Sequence, residues 1–486
     1  MGFALTIVYI VVTIISPEQF GKQWASYHAL TYLAGITVLA SLPNMSTYKY
    51  WKSSVQTFLM LGLVVAIALS QFANGWLGGV LESWRIFLPS AAVFFFIVVN
   101  VTNIRRLKIA TLAAVASCMV VAGEALCGYY AGYHGEIFIL RNNIYSPQDD
   151  VIGHLMRIRG AGFLSDPNDF AQILLIALPL AFIAWRRGRM VANFFLVLLP
   201  AGLLLYTTYL THSRGALIAL AAVALMAARK KLGTTASMVL AAIFIFGMLA
   251  LDFTGGRGIS AADGADRLEA WANGLEMFKS APLFGIGFNN FVDLNGITAH
   301  NSFVLCLAEL GLLGSTVWMA LLVTTTTTLN RIIRMHEKRP PGRFFGLLQL
   351  FELGYINFAG APGGDPQPKL VSIILKDKNA CEVQPAMVTS NATGSEIKIE
   401  PIQPQVVPVH WMVAMRIALV SFMATAWFLS RSYTTTMYLV LGLATTTIAL
   451  QRSISKVGNR DHWIFTTMAL EVIMVVLIYG LVRLRH

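Results

Sequence analysis

The chain has 486 residues, 56% of them hydrophobic and only 12% charged, and a mean hydropathy of +0.65. A soluble protein carries about twice that charged fraction, which excludes a water-soluble globular domain. The net charge of +12 does not point to nucleic acid either, because most basic residues sit in short clusters between apolar runs. Runs of about 20 apolar residues separated by such clusters mark an all-α polytopic integral membrane protein with its basic loops on one side.

In chain order, spans are expected near 3–15, 28–43, 55–71, 84–100, 109–129, 168–185, 191–210, 214–228, 233–251, 301–323, 410–430, 433–450 and 463–482. The last three leave the side of the C-terminus open, and Phe344–Phe358 offers a further dip into the bilayer, so the expected total is roughly twelve to fourteen. The first span lacks a basic leader region and a clear cleavage site and reads as retained. Lys49 and Lys52, Arg105–Lys108, Arg186–Arg189, Arg229–Lys231, and Arg331–Arg339 fall in alternate connections, which places those connections in the cytoplasm. The opposite face then receives residues 130–167, the tight turn at 211–213 and the loop 252–300.

These readings divide the chain into N-terminal spans (1–129), an external loop (130–167), central spans (168–251) and a long external loop (252–300). A helix (301–330), a cytoplasmic insert (331–409) and C-terminal spans (410–486) follow. Between 344 and 409, Pro and Gly alternate with short strand-like stretches, which reads as a small β-rich or disordered unit. Cys118, Cys127, Cys306 and Cys381 have no metal-ligand spacing.

The residues able to carry chemistry all fall on the external face. Arg157 and Arg159 share a face if their segment is extended, and guanidinium groups pair with the oxygens of a diphosphate. Asp166 precedes Pro167, a helix-start signature, with Asn168 as the other capping residue. His212-Ser213-Arg214-Gly215 lies between two spans with almost no loop, a depth at which an arginine needs an anion, a watery cavity or the headgroups. His212 is better suited to orienting that turn than to reacting. Arg267 opens a segment with Leu268, Trp271, Leu275 and Phe278 at helical spacing, expected to lie on the membrane surface. Pro282–Asn290 contains Gly285 and Gly287 but follows no strand and lacks a third glycine, so it is not a dinucleotide fingerprint; a tight turn over the membrane is expected. His300-Asn301 stands at the lip of the next span. An unperturbed imidazole titrates near neutrality and can take a proton from a hydroxyl.

Together these residues resemble the bacterial O-antigen ligase and polymerase superfamily. The resemblance rests on H-N-x9-G-x2-G at His300-Asn301, Gly311 and Gly314, on S-R-G at 213–215, on R-x3-W at Arg267 followed by P-L-F-G-I-G to Gly287, and on G-F-L-S-D-P-N-D-F-A at 162–171. It covers roughly residues 150 to 315, and the insert at 344–409 departs from the family pattern. The resemblance implies transfer of a glycan from undecaprenyl diphosphate, at the periplasmic face of the bacterial inner membrane, to lipid A–core (ligase). The alternatives are another lipid-linked glycan (polymerase) or a protein acceptor. It implies His300 as the residue that activates the acceptor. Arg214 and Arg267 would hold the diphosphate, with Arg157 or Arg159 assisting and Asn301, Asp166, Asn168 and Ser213 in support. Neither a metal nor a cofactor is implied. A lipid-linked glycan transporter is the non-enzyme alternative, but it needs charges or broken helices at mid-span.

Overall fold

A computed structural model describes residues 1–20, 29–48, 50–145, 151–250, 253, 261–336, 406–452 and 463–484. The proposed insert therefore lies almost wholly outside the described residues, as does Phe344–Phe358. The chain is a multi-pass membrane protein built of helices. In order these are α1 (Gly2–Ile15), α2 (Ala29–Thr47), α3 (Val55–Ala73), α4 (Leu77–Asn100) and α5 (Ile104–Ala131). A hairpin of β1 (Ile139–Tyr145) and β2 (Val151–Ile158) follows, then α6 (Pro167–Ala181), α7 (Leu199–Leu210), α8 (Arg214–Ala250), α9 (Ala261–Ser280) and α10 (Phe291–Asn295). The last helices are α11 (Ser302–His336), α12 (Val409–Ala426), α13 (Thr435–Arg452) and α14 (Trp463–Arg483). Among the described residues, nine helical segments are long and apolar enough to cross a membrane, and the shorter apolar helices Arg214–Leu225, Thr235–Met248 and Thr435–Gln451 accompany them.

Burial separates inner from outer helices. The apolar windows of α6, α11 and α12 are buried over 83, 78 and 78% of their residues, whereas that of α14 is buried over 22%. α14 presents Phe465, Val472 and Val476 outward, surface that suits hydrocarbon and not water. Some hydroxyls on the inner helices are satisfied locally: Thr325 Oγ1 donates to the Leu321 carbonyl at 2.7 Å and Ser421 Oγ to that of Ile417 at 2.9 Å. Such back-bonding to the preceding turn removes free hydroxyls from an apolar interior.

Three expectations are changed by the structure. First, the external stretch after α5 is not all loop, because β1 and β2 pair antiparallel, with Leu140 opposite Arg157. Second, α11 does not end near residue 323 but carries Arg331 and Arg334 in its last turns. Third, α9 does not lie with its apolar stripe on lipid. Trp271 and Leu275 are buried with Phe291, Ala299, Val304 and Ile478, and Leu268 and Phe278 pack against them. An apolar stripe at helical spacing has the same form whether lipid or protein covers it. Here the indole of Trp271 also gains an acceptor, donating to the Ala299 carbonyl at 2.9 Å.

The helix that carries the histidine motif is broken on purpose. At Gly311 the backbone of α11 takes φ 61° and ψ −164°, a region open in practice only to glycine. The break frees backbone groups, and the segment after α9 binds them. Ile286 N and Gly287 N donate to the carbonyls of Ala308 and Glu309 at 3.0 and 3.1 Å. In return Leu312 N and Leu313 N donate to Pro282 and Leu283 at 2.8 and 3.2 Å. The glycines of Pro282–Gly287 are therefore docked into a helix break and do not form a free turn over the membrane. Contact is so close that a Cβ on Gly285 would lie 2.3 Å from the Glu309 carbonyl, and one on Gly311 2.5 Å from Gly285 N.

Gly311→Ala is thus expected to cost about 3 kcal/mol or more through strain and overlap combined. Gly123→Ala, at a helical site with open space around it, should be neutral or slightly stabilising. Thermal unfolding of the two detergent-purified variants checks the contrast.

Candidate functional site

Three of the motif stretches turn out to be the N-terminal ends of three inner helices. At the start of α6, the Asp166 carboxylate accepts from Asn168 N at 2.7 Å, with Pro167 at the first helical position. At the start of α8, Ser213 Oγ accepts from Ala216 N at 3.3 Å. At the start of α11, Asn301 Oδ1 accepts from Phe303 N at 2.8 Å and Val304 N at 3.2 Å. Each side chain satisfies one or two of the free N–H groups that a helix start exposes. The positive ends of three helix dipoles are thereby gathered at one end of the bundle, a setting that favours an anion.

The connection between α12 and α13, residues 427–434, brings these starts together. Phe428 lies against Gly215. Ser302 Oγ donates to the Leu429 carbonyl at 2.5 Å and accepts from Arg431 N at 2.8 Å, while Ser432 Oγ donates to the Ser302 carbonyl at 2.7 Å. Arg431 forms an ion pair with Asp169 of α6 through both Nε and Nη2. Trp427 packs edge-on against Trp271 of α9, with ring centroids 5.8 Å apart.

His300 stands in the middle of this assembly, half-buried and with a left-handed backbone, φ 49°. Burial is the largest influence on its imidazole and lowers its pKa below the ordinary value. Arg267 lowers it further, Asp166 pulls it upward, and Arg431 again lowers it. The neutral, proton-accepting form is therefore favoured near neutral pH. Asp166 at the start of α6, Arg267 of α9 and Arg431 of the 427–434 connection thus all influence the charge of this ring.

The remaining sequence-predicted residues take different positions. Arg157 is buried, donating from Nε to the Thr211 carbonyl at 2.8 Å and from Nη2 to Asn168 Oδ1 at 3.2 Å. It ties the hairpin to the starts of α6 and α8. Arg159 lies just beyond β2 and donates to the carbonyls of Ile137 at 2.8 Å and Glu136 at 2.9 Å, closing the base of the hairpin. The two arginines expected on one face are thus separated. Arg141, on β1, is exposed. Arg214 is the half-buried first residue of α8, and Arg267 is half-buried in α9. His212 turns the chain at φ 50°, with Nδ1 3.0 Å from the Phe253 carbonyl.

Arg431 was not among the sequence candidates. A usable signal was present: Arg431-Ser432 sits in a short connection between two spans, as Ser213-Arg214 does, and on the same expected face. No local spacing links it to His300, and only the fold does so.

Residues 199–319 match the family model described as O-antigen ligase. The match includes Ser213, Arg214, Arg267, His300, Asn301, Gly311 and Gly314. Over that segment, about a quarter of its length, the chain is similar to the O-antigen ligase family. No curated protein matches the chain. Arg157, Arg159, Asp166, Asn168 and Arg431 lie outside the matched segment, so their place beside it is known from the fold. The match supports an O-antigen ligase or polymerase type of function in general.

Two predictions follow from this geometry. Asn301→Ala should lower stability by about 1 kcal/mol, whereas Asn301→Asp, which keeps the capping oxygen, should not; thermal unfolding distinguishes them. A histidine that accepts a proton must be neutral, so the rate falls as pH drops through its pKa. Asp166→Asn keeps a capping side chain but removes the negative charge that raises the His300 pKa. The acid limb of the pH–rate profile should move to lower pH in this variant.

Proposed function

We propose that the chain is a glycosyltransferase acting at the periplasmic face of the bacterial inner membrane. It moves a glycan from undecaprenyl diphosphate to a sugar hydroxyl of lipid A–core. The observation that carries this reading is the convergence on one half-buried, neutral-favoured histidine of three helix N-termini and the cations of the site. A base beside an anion cradle is what displacement of a diphosphate by a hydroxyl needs. His300 takes the acceptor proton as the acceptor oxygen bonds to the sugar's anomeric carbon. The bond from that carbon to the diphosphate breaks, and its electron pair leaves with undecaprenyl diphosphate. Arg214 and Arg267 stabilise the charge on the leaving group, with the helix N-termini behind them. Arginines in that role make a metal ion redundant, and we expect activity in the presence of chelator.

The charge distribution along α11 supports this orientation. The helix begins two residues after His300 and carries Arg331 and Arg334 at its far end. Basic residues favour the cytoplasmic side, so the His300 end is assigned to the periplasm. A lipid-linked repeat as acceptor would make the same chemistry a polymerase, and a protein acceptor an oligosaccharyltransferase. A transporter is disfavoured because the charged candidates gather at one end of the bundle and the break in α11 is filled by the backbone of Pro282–Gly287.

The test is reconstituted transfer with chelator, supplying an undecaprenyl-diphosphate glycan and either lipid A–core or a second lipid-linked repeat. A single glycan-capped lipid A product supports the ligase, and a ladder of lipid-linked chains supports the polymerase. His300→Ala should lower turnover about 10²- to 10⁴-fold while leaving donor binding in place. Turnover unchanged in that variant would remove His300 from the mechanism.

A further inference from the structure

Arg431 differs from the other arginines of the site in what its guanidinium has left to offer. Those of Arg157 and Arg159 are committed to the protein by the hydrogen bonds given above. A guanidinium has five N–H donors. In Arg431, Nε and Nη2 face the two oxygens of Asp169 side-on, a paired geometry that fixes the plane of the group. Nη1 has no partner among the described residues, and 38% of the side chain remains exposed. The ion pair partner, Asp169, is only 6% exposed at its side chain, so the carboxylate is an internal anchor and the open donor edge is the part left for another molecule.

The backbone is held as firmly as the side chain. Arg431 N is bonded to Ser302 Oγ, two residues after His300, and the adjoining Ser432 is bonded to the Ser302 carbonyl. The carbonyl of Ser432 in turn accepts from Trp318 Nε1 at 3.0 Å and from the Tyr438 hydroxyl at 2.8 Å. A long, flexible side chain ordinarily loses rotamer freedom when it binds a ligand, and one already fixed by an ion pair loses little. Asp169 cancels much of the charge of Arg431 at long range, but the N–H donors of Nη1 still act directionally at contact. Arg267 and the starts of α6, α8 and α11 supply the surrounding positive potential.

We propose that Arg431, held by Asp169 and Ser302 beside His300, binds the diphosphate of the donor lipid through its open Nη1 edge. This inference rests on the transferase reading above and adds to it a cation from outside the matched family segment. The ligand chemistry is a diphosphate ester, and Nη1 donates to its non-bridging oxygens. No bond is made or broken at Arg431.

The experiment measures binding directly, so that it does not depend on turnover. The purified full chain in nanodiscs is titrated with undecaprenyl diphosphate, and Arg431→Gln, Arg431→Lys and the double variant Asp169→Asn/Arg431→Gln are compared with the native chain. The double variant removes anchor and cation together, leaving no unpaired buried charge. Loss of one charged hydrogen-bonding partner should weaken binding about tenfold or more. That loss is expected in Arg431→Gln and in the double variant alike, and Arg431→Lys should recover part of it. In transfer, donor KM should rise with little change in kcat. If the pair were only structural, the double variant would regain both native affinity and native thermal stability, which overturns the proposal. Inorganic pyrophosphate should compete with the lipid and phosphatidylglycerol should not; the reverse result also overturns it. Binding by the native chain that persists unchanged in Arg431→Gln defeats this inference alone. Absence of any binding by the native chain defeats the transferase reading with it.

Discussion

The site depends on the anchoring of the 427–434 connection to the starts of three helices. A helix N-terminus carries unpaired N–H groups and a partial positive charge, and three of them brought together repel one another unless polar contacts hold them. Asp166, Ser213 and Asn301 cap the helices one by one. The connection then joins them, with Phe428 against Gly215, Arg431 paired to Asp169, and Ser302 bonded at Leu429, Arg431 and Ser432. The resulting concentration of positive potential is costly in an empty protein and favourable in the presence of a diphosphate. A group of this kind placed near a membrane boundary is expected to be functional.

A second constraint fixes where His300 stands relative to the rest. The break in α11 at Gly311 is filled by the backbone of Pro282–Gly287, so the loop after α9 and the helix after His300 are stitched at both ends of the break. Trp271 adds a third tie by donating to Ala299, the residue before the histidine. The left-handed backbone at His300 is a conformation that non-glycine residues adopt only when their surroundings impose it. These ties do so, and they keep the imidazole within the electrostatic reach of Arg267 on α9 and Arg431 in the 427–434 connection. The glycine-rich stretch and the histidine motif are therefore parts of one structure, although a loop and a helix end separate them in the chain.

Much of the fold was legible without the structure, because hydropathy acts locally. Each expected span within the described residues coincides with a helix; most ends move by a few residues, while α11 runs well beyond residue 323. The helix starts were partly legible too: Asp166-Pro167 carries its own capping signature. What the sequence did not disclose were features that depend on distant partners. The hairpin at β1 and β2 was read as loop, since its strands follow no clean alternation. The stripe on α9 was assigned to lipid, since an apolar face does not specify what covers it.

The candidate site divides along the same line. Residue type and order by themselves determined that the chain crosses the membrane many times, that His300-Asn301 opens a helix, and that the arginine-bearing segments share a face. Those properties follow from segment hydrophobicity, charge bias and capping chemistry, all of which operate within a few residues. Tertiary structure alone decided which arginines approach the histidine. It turned Arg157 and Arg159 to hydrogen bonds within the protein, and it brought Arg431 to Asp169 across a separation of 262 residues. The physical reason is that an ion pair needs only two side chains meeting in space, and no local pattern in the chain records where α12 and α13 will place their connection.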